Sequence, residues 1–185
     1  MSPNTLAPGY QRPELTGARI WTGAPALEAV IAGRGLGIMK ITEILTAEHA
    51  VFHNLFDHIE RSLPRLRTLP ELKALASTLE ALLRAHSQTE DELFIAPLEH
   101  CLEQIGQSDT FHEEHEEIDD NLLAVQKARN ARDARKLLAR AVLACREHFD
   151  KEERIVFPLA ERTLKAHTLQ ALGAAWLKRR EAALK

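Results

Sequence analysis

The segment His86-Ser-Gln-Thr-Glu90 returns as His148-Phe-Asp-Lys-Glu152, and each copy runs on through an acidic residue and an apolar cluster into Pro97 or Pro158. A spacing of four stacks the histidine and the glutamate on one face of a helix. Imidazole nitrogen and carboxylate oxygen are donors that suit iron. Two such faces opposed across a helix bundle would hold two metal ions with the carboxylates between them. The repeat therefore asks for helices at both places and for a fold that turns those helices toward each other.

The rest of the chain meets that demand from residue 40 onward. Ile44, Leu45, Phe52, Leu55, Phe56 and Ile59 recur at offsets of three and four and stop before Pro64, which reads as a first helix with Thr42 or Thr46 as its cap. Pro70 can open a second, with Leu72, Leu75, Leu79, Leu82, Leu83 and Leu93 on one stripe. Pro97 is expected to end or bend it, because its ring cannot accept the preceding helical turn. Ser108 or Asp109 caps a third helix through about Arg129, and a fourth starts near Asp133 with Leu137, Leu138, Val142, Leu143, Ile155 and Phe157. Thr168 caps a short fifth, with Leu169, Leu172, Trp176 and Leu177 on its apolar side. No run reads as a strand. The expected fold is all-α: an antiparallel up-down-up-down four-helix bundle over residues 40–185, including a short C-terminal fifth helix. Residues 1–39 read as an irregular, poorly ordered arm, since six of the eight glycines and four of the eight prolines fall there without helical period. A natural beginning at Met39 is the alternative.

Composition removes several classes of function. The net charge of −3 argues against a nucleic-acid partner, and Lys178-Arg179-Arg180 is too short a basic block to reverse that. No stretch reaches the roughly 20 apolar residues of a membrane span. A secretory signal is not evident, and Cys101 and Cys145 are isolated thiols, so a reducing cytoplasmic setting is expected. The unusual count is nine histidines.

Helix arithmetic tests whether those histidines share a level. His49 stands about 20 Å before the end of the first helix and His86 about 24 Å after the start of the second, while His115 and His148 stand about 22 and 24 Å from their shared turn. Antiparallel neighbours would bring all four near one layer, provided that the second helix stops near Pro97.

With Glu48-His49, His86-xxx-Glu90, Glu114-His115 and His148-xxx-Glu152 in that order, residues 40–162 resemble the hemerythrin-like, or HHE, domain proteins. The resemblance implies a non-haem centre of two iron ions. In it, His49, His86, His115 and His148 would be nitrogen ligands, and Glu90 and Glu152 would bridge the irons. Ferritin-like di-iron bundles use Glu-xx-His instead, and that spacing does not occur in this chain. Closed zinc sites take four ligands, fewer than converge here. His53 and His58 are rivals of His49. Marine oxygen carriers of the family place two histidines four apart in the third helix; this chain has His112 three before His115, so His112 is a further candidate ligand. His100 and His167 are expected on the solvent side, and Asp91 and Glu153 turn about 100° from the bridging glutamates, toward solvent or the outside of the site.

The resemblance implies a protein that binds molecular oxygen, or nitric oxide, in oxygen binding, storage or sensing. Phe52, Phe56, Leu93, Phe94, Val156 and Phe157 are candidates for a dry wall, with ordinary core as the plainer reading. No nucleophile triad, nucleotide loop or organic-cofactor motif is evident, so binding is favoured over turnover. Two alternatives remain: an enzyme handling peroxide or nitric oxide or supplying iron for cluster repair, and an iron- or oxygen-responsive regulatory bundle. The fifth helix reads first as a cap over the bundle, with Trp176, Lys178, Arg179 and Arg180 as a partner-binding face in second place.

Overall fold

A computed structural model describes residues 39–182, apart from the side chains of Ser108, Asp109, Phe111 and His112. The expected arm falls outside those residues up to position 38. Among the described residues there is no strand, and no helix is long and apolar enough to cross a membrane. The helices are α1 (Ile41–Ser62), α2 (Leu69–Glu90), α3 (Ala96–Gln104), α4 (Ser108–Lys127), α5 (Ala131–Lys151), α6 (Phe157–Thr163) and α7 (Ala166–Ala182). Two five-residue π-helical segments, Asp91–Ile95 and Glu152–Val156, join α2 to α3 and α5 to α6 without a break.

Local chemistry explains most boundaries. Thr68 caps α2 by accepting from the Glu71 N–H, while the Glu71 carboxylate returns to the Thr68 N–H at 2.9 Å. Asn130 accepts from the Asp133 N–H at the head of α5. At α1 the expected caps give way to Lys40. Its N–H is held by the Glu43 carboxylate, whereas Thr42 is buried and donates to Glu161, and Thr46 donates back to the Thr42 carbonyl. Gly106, at φ 66°, ends α3 in the left-handed conformation. The Gln107 N–H reaches the Leu102 carbonyl and the Gly106 N–H the Glu103 carbonyl, the paired bonds of a Schellman turn.

Of the two outcomes expected at Pro97, an end or a bend, the end does not occur: helix continues to Gln104. A proline has no N–H and its ring crowds the carbonyl four residues back. Here the turn before each proline widens, so that the Ala96 N–H bonds the Asp91 carbonyl and the Phe157 N–H bonds the Glu152 carbonyl. The proline then enters as one of the first residues of a new α segment, where a missing N–H is harmless. The second helix thus does not stop near Pro97 as the middle connection required, and His115 meets Asp91, more than a turn beyond His86.

Cross-helix bonds form ladders. Going down α1 from its end, Arg135 bonds the Leu63 and Leu66 carbonyls, Arg146 bonds Asp57 and Glu60, Glu153 meets His49, and Glu161 meets Thr42. Residue numbers fall along α1 as they rise from α5 to α6. Gln126 of α4 bonds the Lys73 carbonyl and Ser77 of α2.

Two apolar clusters fill the interior. One includes Phe52, Phe56, Ile59, Leu72, Leu79, Leu122, Leu138, Val142 and Phe149. The other gathers Ile41, Leu45, Phe94, Leu98, Val156, Phe157, Leu169 and Trp176. Burying each large side chain contributes about 1.5–3 kcal/mol. Three stripe members expected inside, Leu82, Leu143 and Ile155, are exposed, as is Leu177. Leu82 and Leu143 directly adjoin Leu83 and Val142, and neighbours on a helix diverge by about 100°, so only one of each pair can face the core. Between the two clusters along α1, α2 and α5 lie His49, His86, Glu90, His148 and Glu152, all buried.

Candidate metal centre

Each long helix delivers its polar residues as an adjacent pair: Glu48-His49 on α1, Glu90-Asp91 at the end of α2, Glu114-His115 on α4, and Glu152-Glu153 after α5. One member of each pair turns inward. The other reaches the histidine of a neighbouring helix. Glu48 accepts from His86 Nδ1 at 3.0 Å, Glu114 from His148 Nδ1 at 2.9 Å, and Glu153 from His49 Nδ1 at 3.0 Å. Asp91 stands 3.3 Å from His115 Nδ1. The contacts close a ring from α1 to α2 to α4 to α5 and back to α1. A hydrogen on Nδ1 leaves the Nε2 lone pair free, and a carboxylate behind the ring fixes its orientation and raises its basicity as a ligand.

The Nε2 atoms converge on the two inward glutamates. Glu152 faces both sides, with Oε2 3.4 Å from His49 Nε2 and Oε1 3.2 Å from His148 Nε2. Glu90 Oε2 lies 3.5 Å from His86 Nε2, and the Nε2 atoms of His115 and His148 are 2.9 Å apart. Two overlapping groups result, each with its donor atoms within 4.8 Å of one another: His49, His86 and Glu90, and Glu90, His115, His148 and Glu152. Glu90 belongs to both.

The electrostatics are those of a site built around positive charge. Burial pushes His49 down to about 3, so its imidazole is neutral. Burial, the Glu152 charge and other nearby acids hold the Glu90 carboxyl well above its usual range. Burial also opposes ionisation of Glu152, but His148, His49 and His86 outweigh it and bring that carboxyl to about 2. His148 is raised despite its burial, by Glu152, Glu90 and Asp91. His49 Nε2, His86 Nε2 and all four oxygens of Glu90 and Glu152 are buried without hydrogen-bond partners. Each such atom costs about 1–3 kcal/mol. Bound cations shared among these atoms would satisfy them together, so the donor set fits metal.

The hemerythrin family model, described as the hemerythrin HHE cation binding domain, matches residues 40–170. The chain belongs to that family. No curated protein and no solved structure matches it.

In this HHE domain His49, His86, Glu90, His115, His148 and Glu152 come together. His53 faces Arg146 instead, His58 is exposed, and His100 and His167 are on the solvent side as expected. Asp91 and Glu153, expected to turn away, do so by backing His115 and His49. The side chain of His112 lies outside the described residues. Of the expected dry wall, Phe52 and Phe157 touch the site, with ring centroids 5.2 Å from His86 and 5.5 Å from His49. Phe94 packs behind Phe157, and Phe56 behind Phe52.

Sequence reasoning missed Phe149, which stacks on His49 at 3.9 Å with an interplanar angle of 4°. The signal was available: Leu138, Val142, Cys145, Phe149, Glu152 and Val156 alternate by four and three, one continuous inward face. Trp176 is buried, in keeping with its place on the apolar side of the fifth helix, but its bond to Glu48, shared with Arg180, has no counterpart in the sequence reading.

Proposed function

We propose that this HHE domain holds two non-haem iron ions in an antiparallel up-down-up-down four-helix bundle and binds molecular oxygen, or nitric oxide in its place, reversibly. The observation that carries the reading is the sharing of carboxylates: Glu90 belongs to both donor groups, and Glu152 presents one oxygen to His49 and the other to His148. A single-ion site has no use for that arrangement. His49 and His86 would serve one ion, His115 and His148 the other, and Glu90 and Glu152 would bridge. The opposed numbering along α1 and α5–α6 supports the bundle topology, with residues 40–185 as one domain.

Reduced iron, when bound, supplies electron density to a diatomic ligand. The chain's own residues hold, orient and dry the place where this happens. The carboxylates behind Nδ1 keep the imidazoles aimed. Phe149, Phe52 and Phe157 keep bulk water from the ligand atoms. A cavity of about 20 Å³ opens beside His86, His115 and His148, walled by Leu83, Ile118 and Phe149. That is room for one molecule the size of water, which favours a diatomic ligand over an organic substrate. The two free thiols support a reducing, cytoplasmic setting.

The test is the optical spectrum of anaerobically iron-loaded protein, exposed to air and then returned to vacuum, with iron counted per chain. Two irons and a visible charge-transfer band that comes and goes with oxygen are expected. Irreversible oxidation on first exposure would replace reversible binding with an enzymatic or sensing role. One iron or none would overturn the di-iron reading.

A further inference from the structure

Among the described residues, Glu48 has more partners than any other carboxylate around the site, and most come from α7. Its Oε2 accepts from His86 Nδ1 at 3.0 Å and from Arg180 Nη2 at 2.8 Å; its Oε1 accepts from Trp176 Nε1 at 2.8 Å and from Arg180 Nε at 3.1 Å. Arg180 also donates through Nη1 to the Ala85 carbonyl at 2.8 Å, one residue before His86. The Arg180 guanidinium lies 4.8 Å over the Trp176 ring, and that ring, fully buried, stands 5.7 Å from His86.

The close seating of α7 has its own cause in the sequence. A Cβ on Gly173 would stand 2.2 Å from the Met39 carbonyl oxygen, so only glycine lets the helix approach the start of α1 this closely. Gly173, Trp176 and Arg180 all lie beyond residue 170, where the family match ends.

We propose that α7 is the element that positions His86 for metal, with Trp176 and Arg180 acting through Glu48. A partly exposed glutamate with one imidazole partner is free to swing toward water. Donors on both of its oxygens leave Glu48 a single useful rotamer, and the His86 ring inherits that orientation. Trp176 and Arg180 are positioning residues, since neither approaches the inward atoms. The proposal rests on the reading of His86 as a ligand, but its first test needs no metal.

In chelator-treated protein, the imidazole ¹⁵N–¹H signals of His86 and His148 can be followed by NMR in Arg180→Ala, Trp176→Phe and the double variant. Loss or acceleration of exchange of the His86 Nδ1–H signal is expected, with the His148 signal, backed by Glu114, unmoved. Iron affinity should fall in the double variant by up to about 10-fold, the low end of what removing an outer partner of a metal-binding histidine costs, since Glu48 itself stays. Arg180→Lys should recover part of that loss. Arg180 is partly exposed, so the single Arg180→Ala protein decides the matter if the double variant does not fold. An unchanged His86 signal would overturn the proposal. Parent protein that binds no iron while the His86 signal still responds would sink the di-iron reading and leave α7 as the positioning element.

Discussion

Replacing Glu90 by glutamine should stabilise the metal-free protein while abolishing its full complement of iron. Glu90 is buried beside Glu152, and neither oxygen has a hydrogen-bond partner. Its carboxyl is held above the ordinary value of 4.5 by burial and by the Glu152 charge. Above that ordinary value, the unfolded chain has released a proton that the folded chain retains. Stability contributed by this group therefore falls as pH rises from about 4.5 toward the folded value. Every tenfold gain in proton affinity on folding corresponds to about 1.4 kcal/mol lost at pH above both values. Glutamine has the same shape and no charge, but its amide inherits the lack of partners. The gain is therefore confined to the ionisation and should appear at pH 7 as a Tm above the parent's, each 1 kcal/mol gained showing as about 2–4 °C in a chain of this size. At pH 4, below the ordinary value of 4.5, most of the glutamate is protonated in both states and the gain should largely vanish. Thermal unfolding in chelator at the two pH values, alongside iron counts in untreated protein, makes the check. A Glu90→Gln protein less stable than its parent at pH 7, or equally stabilised at pH 4, would refute the reasoning.

His86→Ala and His148→Ala should each lower iron content, whereas His100→Ala, whose side chain is 81% exposed, should not; equal loss in all three would dismiss the site as drawn. Phe149→Ala removes a ring that packs on His49, Phe52, Phe56 and His86. It should cost about 3–5 kcal/mol in urea unfolding of the metal-free protein. Gly173→Ala must push α7 off the Met39 carbonyl; a loss of about 1–3 kcal/mol is expected, with faster amide exchange along α7 but not along α4.

The sequence announced the site more clearly than its supports. His86-xxx-Glu90 and His148-xxx-Glu152 were readable because ligand chemistry and helical spacing coincide in a few residues. The expected boundaries at Pro64, Pro70 and Asp133 fell within a few residues of the observed end of α1 and starts of α2 and α5, while the caps that set those starts, Thr68 and Asn130, were not named. Pro97 left an end and a bend open because a lone proline looks the same before a helix end and before a widened turn. The difference lies in whether the chain beyond it, here Leu98 and Leu102, has a core to enter. Leu82, Leu143 and Ile155 show the limit of counting apolar residues where neighbours compete for one face. Glu48 and Glu114 were visible as motif members, yet their partners belong to other helices, and no spacing along a chain encodes that. Trp176 and Arg180 lay beyond the repeated motif, so their tie to Glu48 appears only once α7 is folded against α1.

The ring of carboxylate–imidazole contacts makes the centre indifferent to the order in which its helices are strung. Every link runs sideways, from one helix to the next, and none depends on the peptide between them. A new terminus opened in the Ala128–Asn130 turn, with the chain rejoined elsewhere, would leave all four links in place. Two fragments parted there would still be complementary, with Glu48, His49, His86, Glu90, Asp91, Glu114 and His115 on one and His148, Glu152 and Glu153 on the other. What holds the metal site together is adjacency in space, and the loops serve mainly to raise the concentration at which four separate helices find one another.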